Sequence, residues 1–215
     1  MSQTNPLVVQ LLARMLEDSQ LNVETLVGSV QRVSRELSAL AYNYSGHIAR
    51  AGFRDSAMEA LDGQLDEIST ILGRTLFDLQ QRLLGDVQAL RQLDRIHAVI
   101  DLEDTRSVGI RVREALDQYC AALAQEYFAI SETLGNLSFR VRLLANNIEI
   151  SACQAGGDDV NNSVDLFCIM AGQLRGLADR LRGTTGDLRI FEQTQKGHAE
   201  SVRVALASSE EGAAA

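Results

Sequence analysis

The chain has very little proline and few aromatic residues. Pro6 is its only proline, it has no tryptophan, and aromatic residues make up 5% of its 215 residues. Proline breaks helices but is tolerated in their first turn, so nothing after Pro6 forces a helix to end. Signals for β-strands are nearly absent as well. We therefore expect an all-α protein.

Other features that are scarce exclude several classes of function. The net charge is −9 and lysine occurs once, which argues against binding to nucleic acid or to an anionic membrane surface. Polar residues interrupt every apolar stretch, and no signal sequence opens the chain, so we expect a cytoplasmic protein without membrane insertion. Cys120, Cys153 and Cys168 lack the spacing of metal ligands, and no phosphate-binding loop is present. We expect neither a metal nor a cofactor.

Two similar segments of sequence reveal an internal repeat, and we call each of them the repeated phrase. Residues 39–52 and 143–156 align at an offset of 104, which matches Asn43 with Asn147 and Gly52 with Gly156. A second pair of segments, which begins at Gly63 and Gly172, aligns at an offset of 109. The second copy therefore carries about five extra residues in the polar stretch after Gly156, where a turn would accept them at low cost. The sequence predicts one helical hairpin written twice.

Apolar residues recur every 3.5 positions before each phrase, and we call these two rows of residues the seams. Such spacing is typical of a left-handed coiled coil or helical bundle. Both seams are in phase at the offset of 104, and one of the twenty positions is polar. The first seam is Leu12, Leu16, Ser19, Val23, Leu26, Val30, Val33, Leu37, Leu40 and Tyr44, and the second is Leu116, Cys120, Leu123, Tyr127, Ile130, Leu134, Leu137, Val141, Leu144 and Ile148.

These patterns predict long antiparallel helical hairpins that form a four-helix coiled-coil bundle. We expect helices at about 7–52, 57–97, 107–155 and 164–207. The predicted organisation is a first hairpin (1–100, with its turn near 52–56), a connection (101–107), a second hairpin (108–207, with its turn near 156–164) and a flexible tail (208–215). The two hairpins would pack together in one chain as a pseudo-dimer, or the seams would be satisfied between chains in a homodimer.

The second copy resembles a known family. Leu143-Leu144-Ala145, Asn147, Ala152 and Ala155-Gly156 are similar to the hairpin-tip motif of bacterial chemoreceptors, the methyl-accepting chemotaxis proteins. Phe167 and the segment 171–178 resemble the returning half of that motif, and Phe139 matches a phenylalanine that the family places eight residues before the asparagine. The first copy resembles it more distantly, through Asn43 and the Ala-Arg-Ala-Gly of residues 49–52.

The resemblance implies a signalling protein rather than an enzyme. Family members bind a chemotaxis histidine kinase, a coupling adaptor and other chemoreceptors through the hairpin tip. Carried over residue by residue, it implies partner contacts at Asn43, Arg50, Phe139, Leu143, Asn147, Ile150 and Phe167. Glu210 and Glu211 partly fit the family's methylation consensus.

Three other functions fit parts of the sequence. His47, close to Arg50, has features of a phosphotransfer bundle. Acid–amide combinations among Asp165, Gln173, Asp179 and Asp187 could serve a response-regulator phosphatase, although such spacing is common. A helical scaffold with no link to chemotaxis is the third alternative.

Overall fold

The described residues of the chain form four long α-helices. The computed structural model describes residues 6–51, 56–98, 105–154 and 161–214, and these residues are helical throughout, with no strand among them. The helices are α1 (Pro6–Ala51), α2 (Ser56–Ala98), α3 (Thr105–Gln154) and α4 (Asn161–Ala214). The predicted all-α class is confirmed, and Pro6 begins α1 as its tolerance in the first helical turn suggests.

The helix ends differ from the predicted ones by a few residues. Thr105 already belongs to α3, so residues 105–107 are helical rather than part of the connection. Asn161 begins α4, and this helix continues to Ala214 through most of the segment that we predicted to be a tail. Nothing in the composition of residues 208–214 stops a helix as proline would. The turns were predicted near 52–56 and 156–164. Residues 52–55 and 155–160 lie outside the described residues, whereas Ser56 and residues 161–164 are helical. The hairpin organisation stays a prediction.

The chain divides into two compact units, and each unit takes a segment from all four helices. Unit 1 comprises Met1–Leu26, Leu79–Ala129 and Asp187–Ala215. Unit 2 comprises Val27–Asp78 and Ile130–Gly186. The division therefore cuts across the helices rather than falling at the predicted connection between hairpins.

Unit 2 has an apolar core built from the seams. Its seam residues from Leu37 to Tyr44 on α1 and from Leu134 to Ile148 on α3 are at most 8% exposed. The matched segments of α2 and α4 complete this core. Removing their apolar side chains from water is the main contribution that stabilises the fold. The buried positions on these two helices are Leu61, Leu65, Ile68, Leu72, Met170, Leu174, Leu177 and Leu181.

Polar contacts join neighbouring helices around unit 2. The Ser38 and Ser69 hydroxyls, on α1 and α2, lie 3.1 Å apart. Arg140 of α3 pairs with Glu67 of α2 at 3.0 Å. The remaining neighbours are joined by an Arg142–Asp179 pair between α3 and α4 and an Arg180–Glu36 pair between α4 and α1. Each helix of this unit therefore contacts two others.

Unit 1 buries polar side chains among its apolar ones. Asp86 is 6% exposed, and Ser19 and Gln195 are fully buried. The Tyr119 hydroxyl donates to Gln195 Oε1 at 3.4 Å, and Gln195 Nε2 donates to the Met15 carbonyl oxygen at 3.4 Å. These bonds satisfy a buried amide that would otherwise be costly. Most seam positions of this unit are buried, whereas Leu16 and Cys120 are partly exposed and the side chain of Val23 lies outside the described residues.

Candidate partner-binding face

Three large apolar side chains of α3 are exposed on one side of unit 2. Phe139, Leu143 and Ile150 are 68%, 49% and 54% exposed. Residues four and seven positions apart lie on the same side of a helix, so these three form a single row, which we call the α3 face. All three were implicated in partner binding by the resemblance. A row of exposed large apolar residues is the kind of surface that protein partners cover.

The charged groups beside the α3 face are already paired within unit 2. Arg140 pairs with Glu67, and Arg142 pairs with Asp179. Arg175 donates to Asn146 Oδ1 at 3.0 Å and also pairs with Glu149. Since these charged side chains have partners of opposite sign, the α3 face is an apolar surface bordered by ion pairs. A partner would gain most from this surface by burying its apolar area.

The repeat shows that the apolar character of this row belongs to α3 alone. At the offset of 104, the α3 face corresponds to Arg35, Ala39 and Gly46 of α1. None of these is a large apolar residue, although the seam positions of both helices are apolar and mostly buried. The two copies have therefore kept a similar inner pattern while their outer surfaces differ.

The other residues implicated in partner binding have different environments. Asn43 is exposed, and Asn147 is partly buried. Phe167 is 1% exposed, and its ring packs edge-on against that of Tyr44 with centroids 5.5 Å apart. Burial raises the pKa of the Tyr44 hydroxyl. Phe167 is thus a core residue, and its ring is not presented at the surface.

Three of the singled-out side chains lie outside the described residues. Arg50 belongs to α1, and Glu210 and Glu211 belong to α4, but only their backbone is described. The partner contact implied for Arg50 and the methylation implied for the two glutamates stay predictions.

The residues of the enzymatic alternatives do not form an enclosed site. Asp165, Gln173, Asp179 and Asp187 are all exposed, and Asp179 is paired with Arg142. His47 is partly buried. Among the described residues, no three His, Cys, Asp or Glu side chains come together as ligands of a metal ion would.

The sequence analysis missed a buried carboxylate in unit 1, Asp86, although the spacing of α2 carried a signal for it. The Tyr127 hydroxyl donates to Asp86 Oδ2, and Tyr127 in turn packs against Phe191 with ring centroids 5.4 Å apart. Asp86 continues the apolar spacing of α2, three residues after Leu83 and four before Leu90. Following the apolar spacing of α2 to position 86 would have predicted that Asp86 lies in the core.

Comparison with known proteins adds no relative to this picture. No family model matches the chain, and neither a curated protein nor a solved structure matches it. No helix in the described parts of the chain has an apolar stretch long enough to cross a membrane.

Proposed function

We propose that this protein is a non-enzymatic, chemoreceptor-like interaction protein of the cytoplasm that binds a chemotaxis histidine kinase, a coupling adaptor or other chemoreceptors. The observation that carries the proposal is the α3 face. Its three members were selected by their match to the tip motif, and all three are exposed in one row. A resemblance confined to core positions would have fitted any helical bundle, whereas exposed apolar residues are the ones available to a partner.

The proposal includes the arrangement of the helices as two antiparallel hairpins in a four-helix bundle. The contacts within unit 2 support it. Along α3 and α4, Arg142 pairs with Asp179 while Glu149, further along α3, pairs with Arg175, earlier in α4. Contacts that advance on one helix as they recede on its neighbour are those of antiparallel helices. In this arrangement a single chain takes the place of a dimer of hairpins.

The difference between the two copies supports a one-sided mode of binding. A symmetric pseudo-dimer would offer the same surface twice, but Arg35, Ala39 and Gly46 replace the apolar row on α1. We therefore expect a partner to bind the α3 side, with Asn147 at the margin of its contact area. The exposed Asn43 would make at most a secondary contact.

The test is capture of the chemotaxis kinase and coupling adaptor from the organism that encodes this chain, using the full-length protein as bait. Phe139→Ser and Ile150→Ser should each weaken capture by about tenfold or more, because truncating a hot-spot residue at the centre of an interface costs about 2 kcal/mol or more of binding. Phe128→Ser is the matched control, since Phe128 is also an exposed phenylalanine of α3, at 65%, but lies in unit 1.

Three outcomes decide the proposal. Capture that fails for Phe139→Ser and persists for Phe128→Ser supports binding through the α3 face. Capture that is equally strong for both variants would remove the α3 face from the proposal. If the wild-type protein captures neither kinase, adaptor nor chemoreceptor, the proposed binding function is wrong, and the scaffold, phosphatase and phosphotransfer alternatives take its place. An Asn43→Asp/Asn147→Asp double variant, examined in parallel, tests the two asparagines.

A further inference from the structure

A cleft of about 490 Å³ lies between α2 and α3 within unit 1. Four of the twelve residues that line it are small, namely Gly85 and Ala89 on α2 and Ala115 and Ala122 on α3. Their short side chains leave room between the two helices. The volume lies within the range of cavities that hold small organic molecules.

Asp86 is one of the residues that line this cleft, although it is only 6% exposed. Its Oδ2 accepts a hydrogen bond from the Tyr127 hydroxyl. The residues that the structure describes provide no hydrogen-bond donor for Oδ1. Tyr119, the other tyrosine that contacts this site, uses its hydroxyl to donate to Gln195 instead. One carboxylate oxygen therefore remains for a ligand in the cleft.

The charges that surround Asp86 leave the site negative. On α2, Arg82 lies on the wall of the cleft, but it pairs with Glu126 Oε1 of α3 at 2.9 Å. The charged and titratable groups that face Asp86 are thus the Arg82 guanidinium, the Glu126 carboxyl and the hydroxyls of Tyr119 and Tyr127. Two carboxylates and one cation give a net charge of −1 when both are ionised. A buried carboxylate without a cation of its own is costly, so a cationic ligand would stabilise it.

We propose that this cleft binds a small organic molecule that carries a primary ammonium group, with the Asp86 carboxylate as its counter-ion. The ammonium has three donors, which suit Asp86 Oδ1 and the side-chain carbonyls of glutamines on the cleft wall, such as Gln92 and Gln118. The hydrocarbon part of the ligand lies against Ala89, Ala122 and the other small residues. This site is separate from the α3 face, which belongs to unit 2.

Proton binding competes with the ligand. Burial raises the pKa of Asp86 to about 6, with a further increase from Glu126, while Tyr127 and Arg82 act in the opposite direction. At pH 8 the carboxyl is ionised, and at pH 5 about one molecule in ten is ionised. The affinity for an ammonium ligand should therefore be about tenfold lower at pH 5 than at pH 8, since protonation removes the competent form.

The experiment is a titration of the ¹⁵N-labelled full chain with n-butylammonium chloride, followed through the amide signals of Gly85 and Ala122. n-Butanol, which has the same hydrocarbon chain and no charge, is the control ligand. We expect saturable shifts with butylammonium at pH 8, weaker binding of butanol, and loss of butylammonium binding in Asp86→Asn. Asp78→Asn, the same substitution at an exposed position of α2, should bind like the wild type.

Measurements on the wild-type protein alone also test the proposal, so it can still be refuted if the Asp86→Asn variant does not fold. Butylammonium binding that weakens about tenfold from pH 8 to pH 5 supports it. Equal affinity for butylammonium at the two pH values, equal binding of butanol and butylammonium, or the absence of saturable shifts would each overturn it.

Discussion

Replacing Asp86 by asparagine should change how the stability of this protein depends on pH. Burial raises the pKa of the Asp86 carboxyl from 3.8 to about 6 in the folded chain. Because the folded-state pKa is the higher one, folding favours the protonated form. The stabilisation is complete below pH 3.8 and is lost as the pH rises towards 6. At about 1.36 kcal/mol for each pH unit between the two pKa values, the loss reaches about 3 kcal/mol above pH 6.

Asparagine keeps the acceptor for the Tyr127 hydroxyl but does not ionise. The free energy of unfolding of Asp86→Asn, minus that of the wild type, should therefore rise by about 2–3 kcal/mol between pH 4 and pH 7.5. Taking the difference removes the contributions of the other acidic groups, which both proteins share.

Urea denaturation followed by circular dichroism at 222 nm gives these free energies at each pH, and Asp78→Asn provides the control for the substitution itself. The reasoning is refuted if the difference stays flat between pH 4 and pH 7.5, or if it falls as the pH rises. A flat profile would mean that the pKa of the Asp86 carboxyl is the same in the folded and the unfolded chain, so that folding does not desolvate it.

Three further predictions concern the packing of unit 2. Leu65→Ala and Leu174→Ala remove fully buried side chains at matched positions of the repeat, so each should lower the free energy of unfolding by about 2–5 kcal/mol in urea denaturation; a cost below about 1 kcal/mol at either position would contradict the assigned core. Gly63→Ala should raise the thermal midpoint and stabilise the fold by about 1 kcal/mol, because the added methyl meets no atom within 4 Å and alanine is the better helix former; a lower midpoint would show that this position is crowded. Arg142→Met should change stability by less than about 1 kcal/mol, since both members of its ion pair with Asp179 are exposed, and high salt should leave that small effect smaller still.

The helices and much of the core could be predicted from the sequence, because helical burial repeats over short distances along the chain. The spacing of three and four residues that identifies Leu37 and Leu40 as buried depends on neighbours within one helical turn. Phe167 obeys the same rule, since Met170 and Leu174 follow it at three and then four residues. Its spacing is that of a core residue, and the structure buries it, although the resemblance implied a contact with a partner.

The α3 face and the cleft could not be predicted from the spacing of apolar residues alone. Phe139, Leu143 and Ile150 are off the seam, so periodicity says only that they face outward, and their resemblance to a known motif was needed to select them. Asp86 was missed because a charged residue is normally read as exposed. Its burial depends on α2 and α3 together, and no pattern within one helix shows how much room the small residues Gly85 and Ala122 leave between them.

A ribosome makes α1 well before α4, so the contacts between these two helices form late in synthesis. In unit 2, Glu36 of α1 pairs with Arg180 of α4. In unit 1, the Met15 carbonyl oxygen of α1 accepts a hydrogen bond from Gln195 of α4. At synthesis rates of about 5–20 residues per second, α1 would exist for roughly 10 s before its partner emerges. During that interval its apolar row lacks the α4 surface that covers it in the finished protein. Newly made α1 therefore exposes apolar surface until α4 emerges, and a chaperone that binds apolar helices would protect it during that interval.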